Sequence, residues 1–184
     1  DYESLQHAGA IMGSGGIVVI DDASCMVDVA KFFTSFVVAE ACGKCIPCRV
    51  GTKILYDTLD KITSGNGEES DLDVLQELGE AIRLASLCAL GGTAPNPVLS
   101  TLRYFRDEYL AHVKEKHCPA KVCPRLVVYE IDESKCTGCG TCATKCPANA
   151  IVGERGKKYR IDQSKCVKCG TCFTICPVGA VMKR

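Results

Sequence analysis

A chain of 184 residues in which 22 lysines and arginines face 22 aspartates and glutamates has no basic field for nucleic acid and no charged tail. Its 47% apolar content is that of one or two small globular domains. Of its fifteen cysteines, eleven fall in tight runs with two or three residues between members and glycine and proline among them, and no run of 18 apolar residues could span a membrane. That spacing converges sulfurs on one point, which suits metal ligation in a reducing, cytoplasmic setting rather than the disulfide framework of a secreted chain.

The chain opens on Asp1-Tyr2-Glu3-Ser4 with no initiator methionine, as expected of a segment of a longer polypeptide. Residues 1–22 read as a short β element, with a turn at Gly13-Ser14-Gly15-Gly16 and an apolar strand over Ile17-Val18-Val19-Ile20. A dinucleotide loop would need a strand before the glycines and a helix after them, whereas here the strand follows.

From Met26 to Ala41 the apolar positions Val27, Ala30, Phe33, Phe36 and Val37 repeat at helical spacing, with Asp28 at the positive end of the dipole. A second helix is expected from Arg49 to Ile62, ending at Ser64-Gly65-Asn66-Gly67. A third follows Ser70, with Leu72, Leu75, Leu78 and Ile82 on one face. A fourth runs from about Val98 to Lys116, after Gly91-Gly92 and Pro95-Asn96-Pro97. Four helices on short connections favour an antiparallel bundle.

The remainder is a different module. Ile131 to Ile151 recurs thirty residues later as Ile161 to Val181, with 13 of 21 positions identical, and a polar hairpin at 153–158 joins the copies. The fold class is therefore α+β: an antiparallel four-helix bundle over residues 23–117, a hinge at 118–126, and a duplicated ferredoxin-like domain over 127–184.

Each repeat holds C-x2-C-x2-C-x3-C-P, the spacing of bacterial two-cluster ferredoxins, in which the fourth cysteine of one run ligates the other cluster. One [4Fe–4S] site is then Cys136, Cys139, Cys142 and Cys176, and the other Cys166, Cys169, Cys172 and Cys146. Pro147 and Pro177 turn the chain away after the crossing cysteine, and Gly140 and Gly170 let backbone amides approach the sulfurs. Zinc ribbons are disfavoured, because they use separated C-x2-C pairs.

Cys42, Cys45 and Cys48 form a further triplet between the first two helices. In an antiparallel bundle the end of the third helix shares their pole, which makes Cys88 the fourth ligand of a third [4Fe–4S] site. Zinc is the alternative from spacing alone. Lys44 and Arg49 beside this site would favour its reduced, more negative state. Cys25, Cys118 and Cys123 remain, and the start of the first helix and the end of the fourth bring them to the opposite pole, roughly 22 Å away over fifteen residues. With a histidine they make a Cys3His zinc site. His112 is preferred to His117, since His117 and Cys118 are adjacent and awkward on one tetrahedral ion. Free thiols at a domain junction are the alternative. No nucleophile, acid–base pair or phosphate loop stands out, so no catalytic residue is expected. Twelve ligand thiolates against three cores of about +2 each would leave the loaded chain near about −6, a surface suited to basic electron-transfer partners.

With these motifs in place the chain resembles the C-terminal part of the flavin-bearing, NADH-oxidising β subunit of NAD-linked, electron-bifurcating iron hydrogenases, which is related to the NADH-binding subunit of respiratory complex I. Glu40-Ala41-Cys42-Gly43-Lys44-Cys45-Ile46-Pro47-Cys48-Arg49-Val50-Gly51-Thr52 is similar to the family's cluster loop, Cys88-Ala89-Leu90-Gly91 to its fourth ligand, and Gly13–Ile20 to the end of its β-grasp domain. The appended ferredoxin domain resembles that of the hydrogenase type and of similar formate dehydrogenases. The resemblance implies FMN and NAD sites upstream of Asp1, since no residue here matches their glycine-rich motif. It also implies a hinge metal between bundle and ferredoxin, other subunits of a hydrogenase or dehydrogenase complex as partners, and exchange with soluble ferredoxin. A ferredoxin tethered at the Cys118–Cys123 junction could move between partners. The reading is of an electron relay, in a hydrogenase or alternatively an NAD-linked formate dehydrogenase, with a stand-alone polyferredoxin and a zinc-only structural or nucleic-acid protein as the rivals.

Overall fold

The computed structural model describes residues 2–7, 10, 11, 13 and 15–184. A short helix, α1 (Tyr2–His7), opens the chain. Residues 16–20 carry no regular structure, and Ile17 and Val19 are 88% and 91% exposed. The strand expected at Ile17–Ile20 is therefore not formed. An apolar run becomes a strand only when its amides and carbonyls find a ladder, and none of the described strands pairs with this one. Ser14 of the expected turn lies outside the described residues.

Four helical staves follow: α2 (Met26–Glu40), α3 (Thr52–Thr63), α4 (Glu69–Ala85) and α6 (Asn96–Tyr104), with a one-turn helix α5 (Ala89–Thr93) between the last two. α2 packs on α3 and α6, and α4 packs on the same two, which closes the square of an antiparallel bundle. Leu55, Leu59, Ile62, Leu72, Leu75, Ile82, Val98 and Leu102 fill it. These are the residues at i, i+3, i+4 and i+7 along each stave, and burying each contributes about 1.5–3 kcal/mol. At α4 the Glu68 and Asp71 side chains cap each other's backbone amides, which starts the helix sharply.

The bundle departs from four simple rods in two places. A π-helical turn, Pro47–Gly51, leads into α3. The fourth stave breaks at Phe105 (φ −126°, ψ 36°) into α6 and α7 (Arg106–Leu110), followed by a second π turn, Ala111–Glu115. The break lets Tyr109 turn fully inward, where its hydroxyl meets Thr101 Oγ1 at 2.8 Å.

The second module is built on two two-stranded antiparallel ribbons. β1 (Tyr129–Ile131) pairs with β4 (Val181–Lys183), and β2 (Ile151–Val152) pairs with β3 (Arg160–Ile161). The front strand of each repeat thus pairs with the rear strand of the other. Two short helices, α8 (Thr141–Thr144) and α9 (Thr171–Ile175), pack on one another. Local bonds repeat in both copies: Asp132 Oδ1 accepts from the Ser134 amide and hydroxyl and Asp162 Oδ1 from those of Ser164, while the Asp132 and Asp162 amides donate at 2.7 Å to Ala180 and Ala150 respectively. The two modules meet between adjacent residues, since Leu126 packs in the helical core and Val127 in the sheet core. Among the described residues no helix is long and apolar enough to cross a membrane.

Candidate metal centres

Three cysteine groups are built in three different ways. At one pole of the bundle, the π turn carries one extra residue per turn and buries Cys48, while Cys42 in the preceding loop stays exposed. Gly51 makes this turn possible, because a Cβ there would sit 2.6 Å from Ile82 Cγ1 on α4. Cys88 caps the start of α5 from the same pole. Its sulfur is close enough that burial first, and then the charges of Cys45, Cys88 and Cys42, push the Cys48 thiol up. The Cys45 thiol is held low, chiefly by a hydrogen bond from the Leu87 amide. Cys42, Cys45 and Cys88 thus lie near enough for their charges to act on Cys48, and Cys45 already receives a backbone N–H of the kind that steadies cluster-bound thiolates. Arg49 lies beside them, with Nη1 donating to the Gly43 carbonyl at 3.2 Å.

In the sheet module, Cys146 of the first repeat and Cys166, Cys169 and Cys172 of the second line one small cavity together with Tyr129, Pro147, Ile151 and Ile161. That is the crossed set. Cys142 and Cys172 are the buried members of their runs, and burial raises both thiols, Cys172 to about 11. Cys139 and Cys169 are exposed and held low, each first by the hydroxyl two residues on, Thr141 or Thr171, at 3.4 and 3.3 Å. Cys146 and Cys176 each accept from the amide four residues later, Ala150 or Ala180, at 3.3 Å.

The tyrosines flanking the repeats cross as the cysteines do. Tyr129 lies over Gly170 and Tyr159 over Gly140, and a Cβ on either glycine would meet the phenol oxygen at 2.8 or 2.9 Å. The cysteine spacing does not single out this pair, yet Tyr129-Glu130-Ile131-Asp132 against Tyr159-Arg160-Ile161-Asp162 extends the repeat by two residues and carries the signal that finds it.

At the opposite pole of the bundle, Cys25, His112, Cys118 and Cys123 are all buried, with their ligand atoms within 4.8 Å of one another. His112 Nε2 lies 3.4 Å from the Cys25 and Cys123 sulfurs, and those sulfurs lie 3.7 Å apart. Burial lowers the His112 pKa, but its bonds to the Cys118 and Cys25 sulfurs outweigh this and raise it to about 10. Cys118 is held far below an ordinary thiol by hydrogen bonds from Cys123 and Cys25, and Cys123 is pushed far above one by its bonds to Cys118 and Cys25 and by burial. The four ligand atoms are close enough that one metal ion could be held among them. His117 is not a member of the group. The second π turn aims His112 inward, and His112 Nδ1 sits 2.7 Å from the Glu108 carbonyl, leaving Nε2 toward the sulfurs. Glu108 Oε2 in turn accepts from the Met26 amide at 2.9 Å, capping α2 beside Cys25.

Two family descriptions match this layout. Residues 28–112 match the NADH-ubiquinone oxidoreductase-F iron-sulfur binding region, and residues 129–183 match the 4Fe-4S dicluster domain. The chain joins an F-type iron–sulfur region to a dicluster domain. The chain is 56% identical over 155 residues to the NADP-reducing hydrogenase subunit HndC of Solidesulfovibrio fructosivorans, covering 84% of this chain and 32% of that one. It is 40% identical over 119 residues to the F-type subunit of the NADH-quinone oxidoreductase of Mycobacterium tuberculosis, covering 65% and 27%. Among solved structures, a NAD+-reducing [NiFe]-hydrogenase in the H2-reduced state superposes with a TM-score of 0.50 at 38% identity, over 52% of this chain and 16% of that one. The chain spans about a third or less of the length of these relatives. The F-type region coincides with the bundle and the dicluster region with the paired ribbons, so this is an iron–sulfur protein with one F-type site and a two-cluster module.

Proposed function

We propose that this chain is the electron-relay segment of an NADH-linked, electron-bifurcating hydrogenase, set between an FMN site elsewhere in the longer protein and partner subunits. In this reading residues 1–22 end a β-grasp domain, 23–117 form the cluster-binding bundle, 118–126 a hinge and 127–184 the ferredoxin domain. The ligand sets are Cys42, Cys45, Cys48 and Cys88; Cys136, Cys139, Cys142 and Cys176; and Cys166, Cys169, Cys172 and Cys146. When bound, [4Fe–4S] clusters accept and release single electrons with little rearrangement. The protein's part is to hold each set rigidly, to shield the buried side and to leave Cys42, Cys139 and Cys169 facing outward, where a partner can approach. Cys146 sharing a cavity with the three cysteines of the other repeat is the observation that carries the reading. The name of the 56% identical relative supports the hydrogenase assignment.

The fourth centre is a structural zinc site. Zn–S near 2.3 Å and Zn–N near 2.0–2.1 Å on a tetrahedron demand edges of roughly 3.8 Å between sulfurs and roughly 3.6 Å between sulfur and nitrogen. The 3.7 Å and 3.4 Å spacings of Cys25, Cys123 and His112 lie close to both. Four protein ligands close the sphere, so this centre ties α2 to the hinge and takes no part in redox chemistry.

Purification of the natural assembly tests the proposal. The protein should copurify with H2-activating subunits in an assembly that couples H2 to NAD+; recovery with formate-oxidising subunits, or with none, would refute the hydrogenase assignment.

A further inference from the structure

Ser86 Oγ is buried without a hydrogen-bond partner, which makes it the sole such side-chain atom among the described residues. It lies where α4 ends, two residues before Cys88 and one before the Leu87 amide that bonds Cys45. Gly91 brings it close to the other strand of the site: a Cβ on Gly91 would lie 2.6 Å from Ser86 Oγ and 3.1 Å from Cys48 Cβ, so the hydroxyl and the cysteine flank one point. A buried hydroxyl left unpaired gives up its hydrogen bonds to water with nothing in return. The usual remedy, a bond back to the carbonyl four residues earlier, is not made: Ile82 O receives the Ser86 amide, but the hydroxyl does not share it. The acceptors this neighbourhood is built to hold are the sulfurs of the bundle site.

We propose that Ser86 Oγ–H donates a hydrogen bond to a sulfur of the cluster held by Cys42, Cys45, Cys48 and Cys88, and so sets its reduction potential. The inference rests on the reading of those four cysteines as a cluster site. A donor stabilises the more negative, reduced cluster, so Ser86 raises the potential of this centre relative to a site without it. It is a positioning and tuning residue, and exchanges no electron itself. The effect is local, because the ferredoxin sites are held by a different module.

The test is a redox titration of the anaerobically purified chain followed by EPR, with Ser86→Ala compared against Ser86→Thr. The alanine protein should show the bundle cluster alone shifted negative. At a fixed ambient potential its reduced-to-oxidised ratio should fall at least threefold, roughly 28 mV on the scale where tenfold is 59 mV for one electron. The threonine protein, which keeps the hydroxyl, should titrate near the unaltered potential. In the unaltered protein exchanged into D2O, pulsed EPR of this cluster should show a coupled exchangeable deuteron that the alanine protein lacks. An unshifted alanine potential overturns the proposal. If alanine prevents assembly of the cluster, absence of that deuteron from the unaltered protein overturns it. If the unaltered chain shows no bundle cluster signal at all, the cysteine assignment itself has failed, a different result from an unshifted signal.

Discussion

Gly138 and Lys168 occupy equivalent places in the two repeats, and both are left-handed, at φ 71° and 57°. They are not interchangeable. A Cβ at 138 would meet the Lys157 carbonyl oxygen at 2.5 Å, because the 153–158 hairpin folds over the first repeat, whereas the Lys168 side chain reaches out to donate to the Arg125 carbonyl at 2.5 Å. A left-handed non-glycine residue costs about 1–2 kcal/mol. At 138 the backbone collision is added to that cost; at 168 the lysine already bears it, offset in part by its hydrogen bond. Gly138→Ala should therefore shorten the half-life of the cluster absorbance on mild heating several-fold, while Lys168→Gly should leave it within about twofold. Equal half-lives for Gly138→Ala and the unaltered chain would contradict this. The cysteine spacing is legible in the sequence because ligation dictates it, but the asymmetry between these positions is not, since a single repeat does not reveal which copy the hairpin will cover.

At the scale of elements, the crossed repeats make the sharpest demand. If Cys146 serves the second repeat, Cys146→Ala and Cys166→Ala should abolish the same EPR signal, and Cys136→Ala and Cys176→Ala the other. Loss of a common signal in Cys136→Ala and Cys146→Ala would instead place each cluster within one repeat. In the bundle, the apolar periodicity of α3 and α4 is a sound guide because those faces must be buried together; on α2 it holds at Val27, Ala30 and Val37 but not at Phe36, which is 58% exposed. The break at Phe105 and the two π turns escape it, since a hydrophobic repeat does not register one extra residue in a turn. The break matters for the cap. Glu108 sits after it and accepts the Met26 amide, so Glu108→Ala should cost about 1 kcal/mol, seen as a melting point about 2–4 °C lower. An unchanged melting point would show the cap to be idle.

On the scale of the whole molecule, the chain runs from a helical core to a sheet core across the single bond between Leu126 and Val127, just after Cys123 of the closed Cys3His group. Metal binding there would pin the linker to the start of α2, leaving residues 124–128 as the place where the ferredoxin module could swing. Cys25→Ser should broaden the distribution of distances between bundle and ferredoxin clusters in dipolar EPR while preserving all three signals; an unaltered distribution would mean that the site does not restrain the hinge. The order of these parts is readable from the cysteine runs and the duplication. The conformation of the first 22 residues is not, because an apolar run takes its structure from whatever it packs on, and Ile17 to Val19 stay exposed among the described residues. The central claim is that twelve cysteines gather iron and sulfide at three separate places. Iron and acid-labile sulfide determined on the anaerobically purified chain should give about twelve of each per polypeptide, and a preparation holding about eight or fewer after full reconstitution would contradict it.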